Sequence, residues 1–247
     1  MNRYKADLHI HSVLSPCGSL EMSPQVIVDT ARAKGLDVIA ITDHNSTRQC
    51  KVVAQLARKK GLMVLCGAEV TTREEVHCLT LFENFEKLDA FQEYLDQHLP
   101  DVKNNPDVFG HQVWVNAEEE ILGEEERLLI SGLKQSIEDV EAKVHELNGL
   151  FILAHVDKKR FSVYSQLGFL PFDLSIDAMG ISPLVQVDEL LKKHPEMKEY
   201  VLLRSSDAHM PDQIGQRYTE FLMEELSFDE VKLALRNEKG RKTEIGN

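Results

Sequence analysis

Short apolar runs alternate along the chain with stretches in which hydrophobic residues recur every three or four positions. The first pattern reads as buried strands and the second as amphipathic helices. A strand over 4–10 leads into the segment DLHIH at 7–11. The next stretch predicts a helix with Ser23 as N-cap and Pro24 at its first position. Val26, Ile27, Thr30 and Ala31 face inward, and Gly35 ends it. VIAIT at 38–42 predicts a buried strand that ends on Asp43 and His44. Residues 47–60 read as a helix closed by Gly61, LMVLCGAEV at 62–70 as a strand, and VHCLTLF at 76–82 as another after a short turn. A helix over 86–98 carries Leu88, Phe91 and Leu95 on one face. A helix over 133–147 stops at Gly149, and LFILAH at 150–155 is a buried strand. Further strands are expected near 175–180, 200–206 and 217–222, and a last helix over 227–238.

Alternation of this kind implies a largely parallel sheet with helices outside. About seven or eight such units suit a closed α/β barrel better than an open sheet, although periodicity alone does not distinguish them. The segment at about 100–132 breaks the rhythm. It holds Glu118–Glu120, Glu124–Glu126, Gly123 and the only tryptophan, Trp114. It reads as a surface insertion, a hairpin followed by a helix start, on which few core contacts depend. Trp114 is expected to pack that hairpin against the barrel rather than to cover its mouth.

The chain has 247 residues, of which 43% are hydrophobic and 28% charged, which suits one large soluble domain spanning 1–247. Its net charge of −13 repels a phosphate backbone, so nucleic acid is disfavoured as a partner on bulk electrostatics, unless a local cationic cleft overrides it. Nothing in the sequence reads as a membrane span. The N-terminal segment lacks the apolar core of a signal peptide, so a cytoplasmic protein is expected. Cys17, Cys50, Cys66 and Cys78 are sparse and show no paired spacing, which fits reduced thiols.

Of the ten histidines, His9, His11, His44, His77, His155 and His209 sit at or beside the strand-like runs. A residue at the carboxyl end of a barrel strand points into the mouth, where barrel active sites lie. His77 instead starts its run, so that strand meets the site in an unusual direction. His9 and His11 are two apart on one strand, and both rings face one side. An H-x-H pair alone is weak, because hydrogen-bonded core histidines give the same pattern. Asp43, His44, Glu69, His155, Asp207 and His209 strengthen it. Burying so many titratable groups is costly unless cations pair them. Imidazole and carboxylate together suit zinc, manganese or iron, and a carboxylate such as Glu69 can bridge two metals.

The segments DLHIHSVLSPCG at 7–18, IAITDHN at 39–45, GAEV at 67–70, EVHCL at 75–79, LAH at 153–155 and SSDAH at 205–209 together resemble the PHP (polymerase and histidinol phosphatase) domain family. They follow the family's order over nearly the whole chain. The resemblance implies a distorted (β/α)7 TIM-like barrel with a small insertion. It also implies two or three divalent metal ions and hydrolysis of phosphate esters by a metal-activated water. Carried over by position, His9, His11, Glu69 and Asp207 resemble ligands of one metal. Glu69, His77 and His155 resemble those of a second, and His44 and His209 those of a third. Glu69, Asp207 and His209 would carry the catalysis. Asp43 is expected to orient a ligand rather than to touch metal.

One turn departs from the family pattern. Where many members carry Asp or His for the third metal, this chain reads Ser15-Pro16-Cys17-Gly18. Cys17 can ligate as a thiolate or simply pack the turn. Lys158 and Arg160 are placed to hold a substrate phosphate, with a solvated basic turn as the alternative. Arg48 is a weaker candidate, and Arg204 is less suited because it lies inside a strand. The expected substrate is a small phosphorylated metabolite or nucleotide. The alternatives are a nuclease or polymerase-associated domain, a non-catalytic metal-binding module, and hydrolysis of C–N bonds.

Overall fold

The computed structural model describes residues 1–246. Strands β1 (Asn2–Ile10), β2 (Val38–Ile41) and β3 (Met63–Thr71) run parallel. Strand β4 (His77–Phe82) is antiparallel to β3, which puts its first residue, His77, level with the carboxyl ends of its neighbours. Strands β5 (Val113–Val115) and β6 (Ile121–Glu124) form a separate hairpin. Strand β7 (Leu150–Leu153) is antiparallel to β4, and β8 (Ala178–Ile181) and β9 (Leu202–Arg204) continue parallel to it. Strands β10 (Thr219–Met223) and β11 (Lys242–Ile245) add an antiparallel pair beside β1. Among the described residues the main sheet has the order β11-β10-β1-β2-β3-β4-β7-β8-β9, a distorted α/β barrel. No helix of the described residues is long and apolar enough to cross a membrane.

The strands are apolar on both faces because both are covered. Alternate residues such as Leu8, Ala40, Leu65, Leu79, Ile152 and Leu203 pack together with Val231 and Leu235 of the last helix. Their neighbours Ile39, Ile41, Phe151 and Leu153 pack in the cluster that holds Ile27, Val53, Leu88 and Val140 of the surrounding helices.

Local chemistry sets the helix starts. Ser23 caps helix Pro24–Ala33 by accepting from the Val26 amide. The helix expected from residue 133 begins at Ile137. Ser136 and Asp139 there form a reciprocal capping box that fixes the first turn. The helix expected from residue 47 begins at Cys50. The Thr47 amide donates to Gln92 instead, and the Gln49 side chain pairs with the backbone of Val115.

The barrel seam between β9 and β1 is made largely by side chains. The Leu8 amide donates to Ser205 Oγ at 3.1 Å. The Asp7 carboxylate accepts from Ser206 N, Ser206 Oγ and Gly215 N at 2.9, 2.5 and 2.9 Å. Backbone bonds from Ala208 N to His9 O and from His11 N to Ala208 O complete it. Asp7 is fully buried, and burial pushes its carboxyl up to about 6 despite these donors. The seam brings the 205–209 segment against His9 and His11.

The 100–132 segment differs from expectation. It contains the hairpin and a short helix, Pro106–Phe109, but irregular turns rather than a helix start follow the hairpin. Nor is it loosely attached. Gln112 and Leu129 are fully buried. Gln112 Nε2 donates to the carbonyls of Glu125 and Arg127, and its Oε1 accepts from Leu129 N, all at 2.8 Å. Asn45 Nδ2 reaches the carbonyls of Leu129 and Ser131 at 2.7 and 2.8 Å. The glutamate-rich tip conceals this buried base in the sequence. Trp114 packs the hairpin as expected. A Cβ on Gly123 would lie 2.2 Å from its ring, and the Arg48 guanidinium sits 5.3 Å from the ring centre.

Replacing Gln112 by Ala leaves three backbone groups without their partner, the buried Leu129 amide and the part-buried Glu125 and Arg127 carbonyls. The expected loss is about 2 kcal/mol of unfolding free energy, measured by urea denaturation. A change within error of zero would mean that the insertion is detachable after all.

Candidate metal centre

His9 and His11, on β1 and just past its end, project the same way, and the seam presents Asp207 to them. His9 Nε2 and His11 Nε2 lie 3.1 Å apart. Glu69 Oε2 is 3.3 Å from the first and 3.2 Å from the second. Asp207 Oδ1 is 3.3 and 3.5 Å from the same two atoms. A tetrahedral cation bound at about 2.0–2.1 Å holds its ligands about 3.3–3.4 Å apart. The four donor atoms therefore already stand at the spacing of a first coordination shell.

The other oxygen of Glu69 faces a different group. Oε1 lies 3.0 Å from His77 Nδ1 and 3.1 Å from His155 Nε2. His44 Nδ1 is 3.4 Å from Oε2, is buried and makes no hydrogen bond, so a ring nitrogen is left free at the site. Ligand atoms of His11, Cys17, His44 and His209 form a further group within 4.8 Å of one another. Cys17 keeps part of its surface in solvent, while burial of the thiol pushes its pKa above the ordinary value. Its thiolate therefore needs a cation nearby to persist.

Asp43 touches the site through serines. Its carboxylate accepts from Ser12 N, Ser12 Oγ and Ser15 Oγ at 2.7, 2.6 and 2.7 Å. Ser15 Oγ is in turn 2.9 Å from His11 Nδ1. That chain fixes the His11 ring with Nε2 turned inward. His209 Nδ1 lies 2.9 Å from Asp207 O, which leaves its Nε2 as the free donor atom. Lys158, partly exposed, reaches Asp207 through a salt bridge at the edge of the centre. Lys158, Lys159, Arg160 and Phe161 line a cleft of about 400 Å³ together with His44, Glu69, His77, His155, Asp207 and His209. Arg48 instead pairs with Asp96, and Arg204 donates to Val185 O; neither is among the residues lining this cleft.

The electrostatics follow from crowding. Burial pushes the Glu69 carboxyl up, but His9, His77, His11 and His155 outweigh it and hold it well below the usual carboxylate range. Asp207 is held down in the same way by His9 and His11, against its burial. His44 and His155 are pushed down, first by burial. His209 falls to about 4, through burial and then the neighbouring His11. His11 runs the other way: burial pushes it down, but Asp207 and Glu69 outweigh that and hold its ring well above the ordinary value, so a cation bound there would have to displace a proton.

Sequence reasoning did not find Ser15, Lys159 or Phe161. Ser15 lies within the quoted HIHSVLS stretch and Lys159 between two singled-out residues. Phe161 carried no signal beyond its proximity to them.

The PHP domain model matches residues 7–156, more than half of the chain, and a PHP-associated model matches residues 203–239. The chain belongs to the PHP domain family. This PHP protein is similar to YqxK of Bacillus subtilis, with 24% identity over 278 residues covering 98% of this chain and 64% of the relative. It is similar over a shorter stretch to the 5′-3′ exoribonuclease of Haemophilus influenzae. That match has 35% identity over 86 residues, 34% of this chain and 30% of the relative. Its fold is similar to that of the lesion-specific endonuclease Q of Pyrococcus furiosus, at a TM-score of 0.73 and 21% identity, covering 98% of this chain and 58% of that one. The PHP chain thus spans about six tenths of the length of YqxK and of endonuclease Q.

Protein purified without chelator is expected to carry more than one equivalent of transition metal per chain, read by elemental analysis. Content below one equivalent that zinc, manganese and iron all fail to raise would contradict the metal reading of this centre.

Proposed function

We propose that this PHP protein is a metal-dependent phosphoesterase acting on a small phosphorylated metabolite or nucleotide. The observation that carries the reading is Glu69, whose two oxygens face two separate groups of ring nitrogens. His9, His11, Glu69 and Asp207 would hold one cation, and Glu69, His77 and His155 a second. His44, His209 and Cys17 would hold a third. Zinc, manganese or iron suit this mixture of imidazole, carboxylate and thiolate. Bound there, such cations supply Lewis-acid stabilisation of phosphoryl charge and a water acidified for attack.

The chain's own groups do the rest. Asp43, through Ser15, holds the His11 ring in place. Glu69 and Asp207 remain ionised in the interior and so keep the centre anionic. His209, with Nδ1 engaged by Asp207 O, offers Nε2 either to a cation or to the proton of a leaving group. Lys158 and Arg160, with Lys159, bring positive charge to the mouth where a phosphate enters. A non-catalytic module is less well supported, because the expected ligand set departs from the family pattern only at the 15–18 turn, whereas a decayed site would show several replacements.

A second reading, a nuclease, is favoured by two observations. Endonuclease Q, solved with a 27-mer duplex bearing an abasic lesion at its active site, shares this fold over 98% of the chain. The Haemophilus influenzae exoribonuclease shares 35% identity over its matched stretch. The net charge of −13 argued against nucleic acid, but Lys158, Lys159 and Arg160 make the cleft mouth locally cationic. Bulk charge therefore does not govern what enters it.

The test is turnover of a phosphomonoester and a phosphodiester with each metal in turn, for wild type and Glu69→Gln. The variant is expected to lose at least about 100-fold in kcat, since even an outer partner of a metal ligand costs up to that much, with its circular dichroism unchanged. Undiminished turnover in a folded Glu69→Gln protein would remove the bridging role.

A further inference from the structure

Phe161 is built into the cleft mouth in an unusual way. Its φ of 59° lies in the left-handed region, which an aromatic residue rarely adopts. Such strain persists only where the surroundings enforce it. Here they do. Lys158 N donates to His155 O at 2.9 Å, and Ser162 Oγ donates to Lys158 O at 2.7 Å. The Phe161 carbonyl accepts from His77 N at 2.9 Å. The loop after β7 is thus pinned at both ends.

The pinning fixes the ring. One face of Phe161 stacks on His77, with centroids 4.6 Å apart and planes 13° from parallel. The residue is 37% exposed and lines the cleft with Lys158, Lys159 and Arg160. Packing alone does not call for an aromatic ring held in a strained conformation at a wet mouth. Among the described residues Lys159 and Arg160 form no salt bridge, whereas Lys158 is engaged by Asp207. The carboxylates lining the cleft are Glu69 and Asp207, both deep in it. An aromatic face flanked by uncommitted cations is the combination that binds an unpaired base and its backbone phosphate.

We infer that the 158–161 loop is a nucleotide-recognition element. The open face of Phe161 stacks the base beside the phosphate under attack, and Lys159 and Arg160 hold a flanking phosphate. This rests on the proposed hydrolysis for the fate of the phosphate, but not for binding.

The test uses the intact, metal-loaded protein in two assays. In the first, a single-stranded trinucleotide carrying 2-aminopurine is titrated, because stacking on an aromatic ring quenches that base. Wild type and Phe161→Trp are expected to quench it. Phe161→Leu, which keeps bulk against His77 but has no π face, is expected to bind about tenfold more weakly with the quenching lost. Metal content is measured for each variant, so that a disturbed His77 is recognised. The same titration with the free 2-aminopurine nucleotide distinguishes a strand from a mononucleotide as the source of the base. In the second assay, KM is compared for the trinucleotide and its abasic counterpart. The abasic-to-base ratio is expected to be about 10 in wild type, to approach one in Phe161→Leu, and to be kept in Phe161→Trp. Equal quenching by wild type and Phe161→Leu, or a KM ratio indifferent to the substitution, overturns the inference. Loss of quenching in Phe161→Leu without turnover of any substrate would overturn the hydrolytic reading and leave this one standing.

Discussion

The centre depends on one buried carboxylate that must stay charged. Glu69 sits inside β3, almost fully out of water, with Oε2 turned to His9, His11 and His44 and Oε1 turned to His77 and His155. An isolated carboxylate in such a place would take up a proton. The surrounding ring nitrogens prevent that, yet they crowd one another at distances close to those of a coordination shell. Divalent cations satisfy both demands: they neutralise Glu69 and Asp207 and take up the ring lone pairs. The rest of the scaffold can be read as the means of bringing two such groups to the two sides of one carboxylate.

Two features of the barrel do so. The reversal of β4 lets His77, the first residue of its strand, meet Glu69 on the neighbouring strand. A strand in the usual direction would have turned that residue to the opposite end. The side-chain seam made by Asp7, Ser205 and Ser206 closes β9 onto β1 without a regular ladder. Ala208, bonded to His9 O and His11 N, then sets Asp207 and His209 at the mouth on either side of it. Local strain collects at the same place. Asn45, His155, Phe161 and Asp207 all have positive φ, and each lies in or next to the cleft. The insertion holds Asn45 through Leu129 and Ser131, and β4 holds Phe161 through His77 N.

Much of this was legible in the sequence, because metal chemistry restricts residue type and strand periodicity restricts direction. The H-x-H pair, the glutamate in GAEV and the DAH segment could be grouped from their positions at apolar runs. The displaced position of His77 already pointed to an unusual strand direction. What could not be read depends on distant partners. Asp7 looks like any strand residue until Ser206 and Gly215 reach it from the other end of the chain. Gln112 and Asn45 anchor an insertion whose visible composition is glutamate. The start of helix Ile137–Glu146 was set by a capping box rather than by the apolar pattern. Bulk charge does not describe the cleft itself, since a chain of net charge −13 places three successive cations, Lys158 to Arg160, along it.

The most direct measurement is anomalous diffraction from crystals of the metal-loaded protein, recorded at the absorption edges of zinc, manganese and iron. The account predicts one peak within bonding distance of His9 Nε2, His11 Nε2, Asp207 and one oxygen of Glu69. It predicts a second peak shared by the other Glu69 oxygen, His77 and His155. Both oxygens of Glu69 on a single cation, or peaks that leave Glu69 without a metal, would contradict it.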